Sequence, residues 1–509
     1  MNRLSKIART IALLIASAHF VLLLYLFIRR VSYPYDLEWM EGGMLCHSLR
    51  ILDGKPLYAR PSVDFIPFLY TPLYPAIVAL LSKVFGLRYV LARAVSILSF
   101  LGATLLGYRF AARAGGSRAA AAVSLAIPAA AYVRTGSFYD LARPDSLWLF
   151  LVAAALFLLY GAARNRQGER RTDGKRHLTA AFSALLLVAA FFTKQTAAPF
   201  MVAAGAALLL LDWRLTFTFA GTLALFGLPS LYLYNRASGG WFWTYTSELH
   251  RAHAFYAARA FGETPIELIK IVGPALLLIP WALARRRSIA LWYATYIASV
   301  GFASACLAFG TQWAFTNAYI PGVFFPAVAI AVAAGRLVTV EQQSLPRLRP
   351  AFVFALSAIS LLLLYYDPRR DCSVENVCRP LVPTKADREA GDRLIARLRA
   401  ADGEVLIPFH PFYAHLAGKR TWLHRMGVMD VTNRLGPPDG LAEAIRAHRF
   451  ALAIFDYKVG DREGRGTWFQ WPGLLAEYRF TDPPPDGPRT FSGAPTAPAY
   501  ALVPRAHIP

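Results

Sequence analysis

Residues 11–28 read IALLIASAHFVLLLYLFI, and residues 35–43, just beyond them, read YDLEWMEGG. The first stretch is uncharged and close to the ~20 residues a helix needs to cross a bilayer. The second places Asp36, Glu38 and Glu41 beside Tyr35 and Trp39. Carboxylates kept next to lipid are costly unless they bind or react. On a helix Glu38, Glu41 and Leu45 share one face, while Asp36 near its start would serve as a cap. Arg3, Lys6 and Arg9 precede the apolar stretch and no small-residue cleavage site follows it, so we expect an uncleaved first span with the N-terminus inside.

The same pattern repeats along the chain. Of 509 residues, 56% are apolar and 17% charged, a balance outside the globular norm. Apolar runs fall near 68–87, 89–108, 119–133, 146–163, 178–193, 197–211, 215–234, 266–284, 288–309, 318–335 and 350–366. If all of them spanned, the basic loop 161–177 and Arg285-Arg286-Arg287 would lie outside, against the positive-inside rule. The 68–87 run carries Pro72, Pro75 and Lys83, which suit a helix lying in the interface. Leaving it out gives inner loops with 19 Lys and Arg against 4 Asp and Glu, and outer loops with 11 against 9. The expectation is an all-α polytopic bundle of about eleven transmembrane helices plus interfacial helices, followed by an extracytoplasmic α/β domain. The net charge of +23 is then a topological signal, and no basic–aromatic interleaving points to nucleic acid.

The division is expected at 1–366 and 367–509. In the tail, a charged helical stretch at 385–400 leads to the short apolar run Glu404–Pro408, then to a helix near 440–448 and a strand-like run at 450–456. Its Pro- and Gly-rich final 30 residues read as loop or extended edge. It shows no nucleophile–base pair and no phosphate-cradling loop, and His410, His415 and His424 lack ligand-like partners, which gives it an accessory role: holding an acceptor or shielding a site. Cys372 and Cys378 lie close together in what would be an oxidising compartment, so a disulfide is expected there, while Cys46 and Cys306 stand alone.

Two further outer loops carry charge. One holds Arg134, then Tyr139, Asp140, Arg143 and Asp145, a mixture suited to a phosphate and a hydroxyl. The other is the hairpin turn Thr193-Lys194-Gln195-Thr196. Each alone is compatible with a surface salt bridge or a snorkelling lysine, but the three loops on one side describe one polar pocket at the outer leaflet. Asp and Glu avoid the apolar runs, which favours an interfacial enzyme over a transporter or flippase of lipid-linked saccharides, whose sites lie near the midplane. A polymerase of surface glycans is a further alternative. The aromatic, basic loop 236–265 contains His250 and His253, a spacing that permits a divalent metal without requiring one.

Over roughly residues 1–335 the order of these motifs resembles the GT-C glycosyltransferases, in particular the branch of protein mannosyltransferases and lipid A aminoarabinose transferases. The resemblance implies transfer of a sugar from a polyprenyl-phosphate carrier to a lipid, glycan or protein acceptor on the outer face of a bacterial inner membrane, with inversion. It implies that Asp36 is the general base and Glu38 or Glu41 its acidic partner. It makes Asp145 the acidic residue of the second loop with Arg143 its basic neighbour, and Lys194 the residue that holds the carrier phosphate. Arg134, Tyr139 and Asp140 complete the expected substrate-binding set. The chain departs from the family where Leu37 splits its adjacent Asp-Glu pair, and where the turn 312–321 keeps Tyr319 and Pro321 but lacks the usual basic residue.

Overall fold

A computed structural model describes residues 2–164, 173–285, 288–339, 349–365, 380–456, 471–481 and 486–505. Cys372, Cys378 and the expected 366/367 boundary lie outside them.

Among the described residues, seven helices are long and apolar enough to cross a membrane: Arg3–Val31 (α1), Tyr89–Gly115 (α4), Asp145–Arg164 (α7), Asp173–Thr193 (α8), Trp213–Ala237, Ile289–Phe309 and Thr316–Thr339. The chain is an integral membrane protein. An eighth span is available if Arg259–Val272 and Pro274–Arg285, bent by 88°, count as one. The bend has a local cause. Gly273 has φ +71°, and Pro274 cannot continue the preceding helix's hydrogen bonding. The N–H of Ala275 is taken up by Ser360 Oγ at 2.9 Å.

The remaining expected spans are shorter helices, Arg118–Ala130, Gln195–Leu211 and Arg349–Leu362, so helix length by itself establishes seven or eight crossings among the described residues. The Ala-rich run is split into Arg118–Ser124 (α5) and Ala126–Ala130 (α6), with Pro128 inside the second piece. Leu73–Phe85 (α3) has 13 residues, about 20 Å of helix, short of a ~30 Å hydrocarbon core. It packs under Glu41–Leu52 (α2), where Ser48 Oγ donates to the Pro75 carbonyl at 3.0 Å.

Helix Thr316–Thr339 is the bundle's centre, its most apolar window 94% buried. There Gly335 meets Gly115 of α4 so closely that a Cβ would stand 2.8 Å from the Gly115 carbonyl oxygen. Small residues permit such approach in a bilayer, where dispersion and not hydrophobicity holds helices together. Trp213–Ala237 is at the opposite extreme, 11% buried, with Phe217, Leu225 and Leu233 turned outward.

The C-terminal part contains a four-stranded sheet in the order β1-β2-β4-β3, from Glu404–Leu406 (β1), Phe450–Phe455 (β2), Tyr478–Phe480 (β3) and Tyr500–Pro504 (β4). Strands β1 and β2 are parallel, and β4 pairs antiparallel with both β2 and β3. The final residues therefore supply an interior strand, not only loop or edge. Helix Lys385–Ala400 starts on a capping box in which Thr384 and Asp387 satisfy each other's backbone N–H groups.

This part sits on the first loop of the body. The Leu37 carbonyl accepts from the N–H groups of Phe491 and Ser492 at 2.7 and 2.8 Å. Tyr35 crosses the seam, its hydroxyl 2.5 Å from Asp392 and its ring edge-on to Tyr413.

Candidate active site

The first loop is short and crowded because one arginine gathers its backbone. Arg93, in the first turns of α4, donates to the carbonyls of Tyr33 and Tyr35 at 2.5 and 2.6 Å. It also grips Glu41 through two hydrogen bonds of 2.9 and 2.6 Å. Glu41 in turn accepts from the N–H groups of Leu37 and Ala142 at 2.7 and 2.6 Å. Both side chains are wholly buried. With four bonds received, the Glu41 carboxylate is fully occupied in tying the first loop to the second.

Asp140 and Tyr139 have similar duties. Asp140 accepts from Arg30 Nε and the Tyr132 hydroxyl, each at 2.7 Å, and Arg30 reaches on to Ser492 and the Leu381 carbonyl. Tyr139 is stacked on Phe100 with ring centroids 4.0 Å apart. Arg134 is exposed and makes no ion pair among the described residues. These expected substrate-binding residues are thus divided between the scaffold and the surface.

Glu38 is placed differently. It is buried at the seam and its only ion pair among the described residues is with Arg143, at 3.0 Å. Burial pushes the Glu38 carboxyl up to about 7, with Arg143 pulling against that rise and Glu41 and Asp36 adding to it. Arg143 continues to the Tyr70 hydroxyl at 2.7 Å, and its guanidinium lies over the rings of Tyr70 and Phe138. Buried Arg143 Nε has no hydrogen-bond partner among the described residues.

Beyond Arg143 lies the second pair. Asp145 begins α7, where a helix N-terminus favours a carboxylate. It accepts from Lys194 Nζ at 2.6 Å and from Asn317 Nδ2 at 3.0 Å, while Oδ2 is buried without a partner. Lys194, Asp145 and Asn317 stand on the wall of a small cavity of about 20 Å³ whose other lining includes Trp148, Ser304 and Pro321. The turn that lacks the expected basic residue supplies an amide here instead.

Asp36 is fully buried on the other side of the loop, against the C-terminal part. His410 Nδ1 lies 2.6 Å from Asp36 Oδ2, and His410 Nε2 lies 2.7 Å from Asp456 Oδ2. Among the described residues Asp456 Oδ1 has no hydrogen-bond partner, and the Tyr89 hydroxyl stands beside Asp36. Burial pushes the Asp36 carboxyl up, and the bond and charge of His410 oppose that rise. Burial pushes the imidazole down, but Asp456 and Asp36 on its two sides outweigh it and hold it up at about 10. His410, expected to lack partners, is thus the most heavily engaged histidine of the tail.

One signal for these residues was present in the sequence, at Arg93, while the place of His410 and Asp456 shows only in the fold. Arg93 is an ionisable group inside an apolar run, a position that is rare unless the group works. His410 and Asp456 each follow one of two parallel strands at its C-terminal end, where open α/β sheets gather their ligands. His250 and His253 lie with rings 5.6 Å apart, and His253 Nε2 is 3.2 Å from Asp430. Among the described residues no three of His, Cys, Asp and Glu are grouped as metal ligands.

No family model and no curated protein matches the chain. Solved structures do. ArnT from Cupriavidus metallidurans in the apo state aligns with a TM-score of 0.58 at 13% identity, over 96% of this chain and 97% of that one. The same protein bound to undecaprenyl phosphate gives 0.57 at 13% identity over 97% and 98%. The archaeal oligosaccharyltransferase AglB from Archaeoglobus fulgidus, in complex with an inhibitory peptide and a dolichol-phosphate, gives 0.53 at 11% identity over 93% and 73%. Along nearly its whole length, membrane body and C-terminal part together, this chain has the GT-C fold of those membrane glycosyltransferases.

Proposed function

We propose that the chain is a glycosyltransferase that moves a sugar from a polyprenyl-phosphate carrier to an acceptor hydroxyl at the outer face of a bacterial inner membrane. The observation that carries this reading is a set of unspent polar valences. Among the described residues Arg143 Nε and Asp145 Oδ2 are buried without hydrogen-bond partners, beside the single Glu38 pair and the Lys194-lined cavity. Buried polar atoms are normally paired with protein, water or a bound group, so these two can receive one. Likeness to a protein that was solved with undecaprenyl phosphate supports the choice of carrier.

In this reading Lys194 and Arg143 meet the carrier phosphate, and Asp145 holds Lys194 in place until it arrives. Glu38 replaces Asp36 as the residue we assign as base. It has one ion-pair partner, where Glu41 has four bonds and Asp36 is locked to a histidine. A carboxyl near 7 is suited to accept a proton at neutral pH. The acceptor oxygen bonds to the anomeric carbon as that carbon's bond to the phosphate oxygen breaks. The proton goes to Glu38 and the electron pair to the phosphate, where cationic groups stabilise it. The acceptor's chemical class is left open between lipid, glycan and protein hydroxyls. The test is transfer by purified protein in nanodiscs from undecaprenyl-phosphate-linked sugars to envelope lipid and glycan acceptors. Transfer that requires Lys194 supports the reading. A chain that neither binds undecaprenyl phosphate nor releases it from a sugar-bearing donor would refute it.

A further inference from the structure

The Asp36–His410–Asp456 series takes no direct part in that scheme, yet it is built from buried ionisable groups contributed by both halves of the molecule. We infer that His410 is a positioning residue for the transfer: as an imidazolium bonded to both carboxylates, it neutralises Asp36 and leaves Glu38 as the one carboxylate of the first loop free to take a proton.

With both carboxylates ionised, the geometry calls for a proton on each ring nitrogen. Both nitrogens face a carboxylate oxygen within 2.7 Å, and a neutral imidazole has only one N–H to offer. The Tyr413 ring lies parallel over His410 with centroids 4.8 Å apart, which fixes the plane in which the two bonds point. The other titratable groups facing this series include the Tyr89 hydroxyl beside Asp36 and Gly42, the Tyr413 hydroxyl that accepts from the Asp36 N–H, Glu41, Cys46 and Tyr33 near Asp36, and His424 across the seam. Burial holds His424 down at about 3, with the nearby charge of His410 acting in the same direction. None of them supplies a cation, so among the described residues His410 alone compensates Asp36. Around Glu38 the charged neighbours are Arg143, Glu41 and Asp36. Arg93 neutralises Glu41 and His410 neutralises Asp36, so each neighbouring carboxylate has its own cation.

The consequence rests on the proposed function and is testable apart from it. Removing His410 leaves Asp36 uncompensated next to Glu38, and a like charge makes a carboxyl harder to ionise. In the His410→Asn protein the acidic limb of the kcat/KM profile is expected to move up by about one pH unit. The double variant His410→Asn with Asp36→Asn removes the stray charge and returns the limb to its original position. A loss of transfer by the same factor at every pH would overturn the inference, since a purely structural residue gives that pattern. The second measurement needs no transfer: nitrogen-15 NMR of the His410 ring in nanodiscs, which should show both nitrogens protonated from pH 6 to 9. In Asp456→Asn, with one carboxylate gone, His410 should lose its proton at lower pH. A neutral ring at pH 7.5 in the unaltered protein, or an unchanged titration in Asp456→Asn, sinks the inference even if the His410 variants fail to fold. A protonated ring in a protein without transfer activity would count against the proposed function alone.

Discussion

Glu38 and Glu41 lie one helical turn apart in the same loop, are equally buried, and each faces an arginine, yet they are not equivalent. Glu41 receives two bonds from Arg93 and two from backbone N–H groups, so it closes the junction of the first loop, α4 and the second loop. Glu38 has one ion pair, to an arginine that itself has a nitrogen to spare. The difference shows how a membrane protein can cluster charge at low dielectric. Most of the carboxylates are spent on holding the scaffold, and only those left incompletely bonded can serve chemistry.

The comparison breaks most violently at the scaffold. Arg93→Ala strands a buried carboxylate, and removing one partner of a buried pair costs about 3–5 kcal/mol. The expected result is a protein that unfolds in mild detergent at a much lower temperature, read by differential scanning fluorimetry. Survival of Arg93→Ala with unchanged stability would dissolve the distinction between the two glutamates. On the other side, Lys194→Ala should leave the fold intact and weaken binding of undecaprenyl phosphate by roughly 10- to 100-fold, about 1.5–3 kcal/mol for a hydrogen bond to a charged group. Binding titrations in nanodiscs would measure it.

A third expectation concerns pH. The folded protein holds the His410 imidazolium up at about 10, above its ordinary value near 6.5. A raised basic group stabilises the fold fully below its unfolded pKa and loses that contribution as pH climbs through the folded one. Thermal stability should therefore decline between about pH 6.5 and 10, and the decline should flatten in His410→Asn. The smallest effect is expected at Arg134, exposed and without an ion pair among the described residues. Arg134→Ala should change stability by under about 0.5 kcal/mol and leave transfer near normal.

Much of the fold was legible because a bilayer imposes a length and a charge bias on every span. Hydropathy located the apolar cores of Arg3–Val31 and Tyr89–Gly115, as the runs 11–28 and 89–108, and fell short by seven or eight residues at one end of each. Interior helices such as Arg118–Ala130 are shorter than a full span, because a segment wrapped by neighbours need not match the bilayer's thickness. The site was half legible. Asp36, Glu38, Glu41, Asp145 and Lys194 stand out as ionisable groups at the ends of apolar runs. Their division of labour does not, since it depends on partners far along the chain: Arg93 is 52 residues from Glu41, Arg143 is 105 from Glu38, and His410 is 374 from Asp36. The tail's contribution was hidden for the same reason, because His410 acquires meaning only when β1 and β2 are parallel and facing the first loop.

The most direct test is a single-turnover comparison of Glu38→Gln and Asp36→Asn in nanodiscs loaded with undecaprenyl-phosphate-linked sugar. Glutamine keeps the size of Glu38 and a hydrogen bond to Arg143 but accepts no proton. The account predicts that Glu38→Gln slows transfer by about 10²–10⁴-fold with donor binding preserved, while Asp36→Asn loses far less and keeps its pH optimum within reach of neutrality. Near-normal turnover in Glu38→Gln together with a collapse in Asp36→Asn would contradict the account and return the base to Asp36.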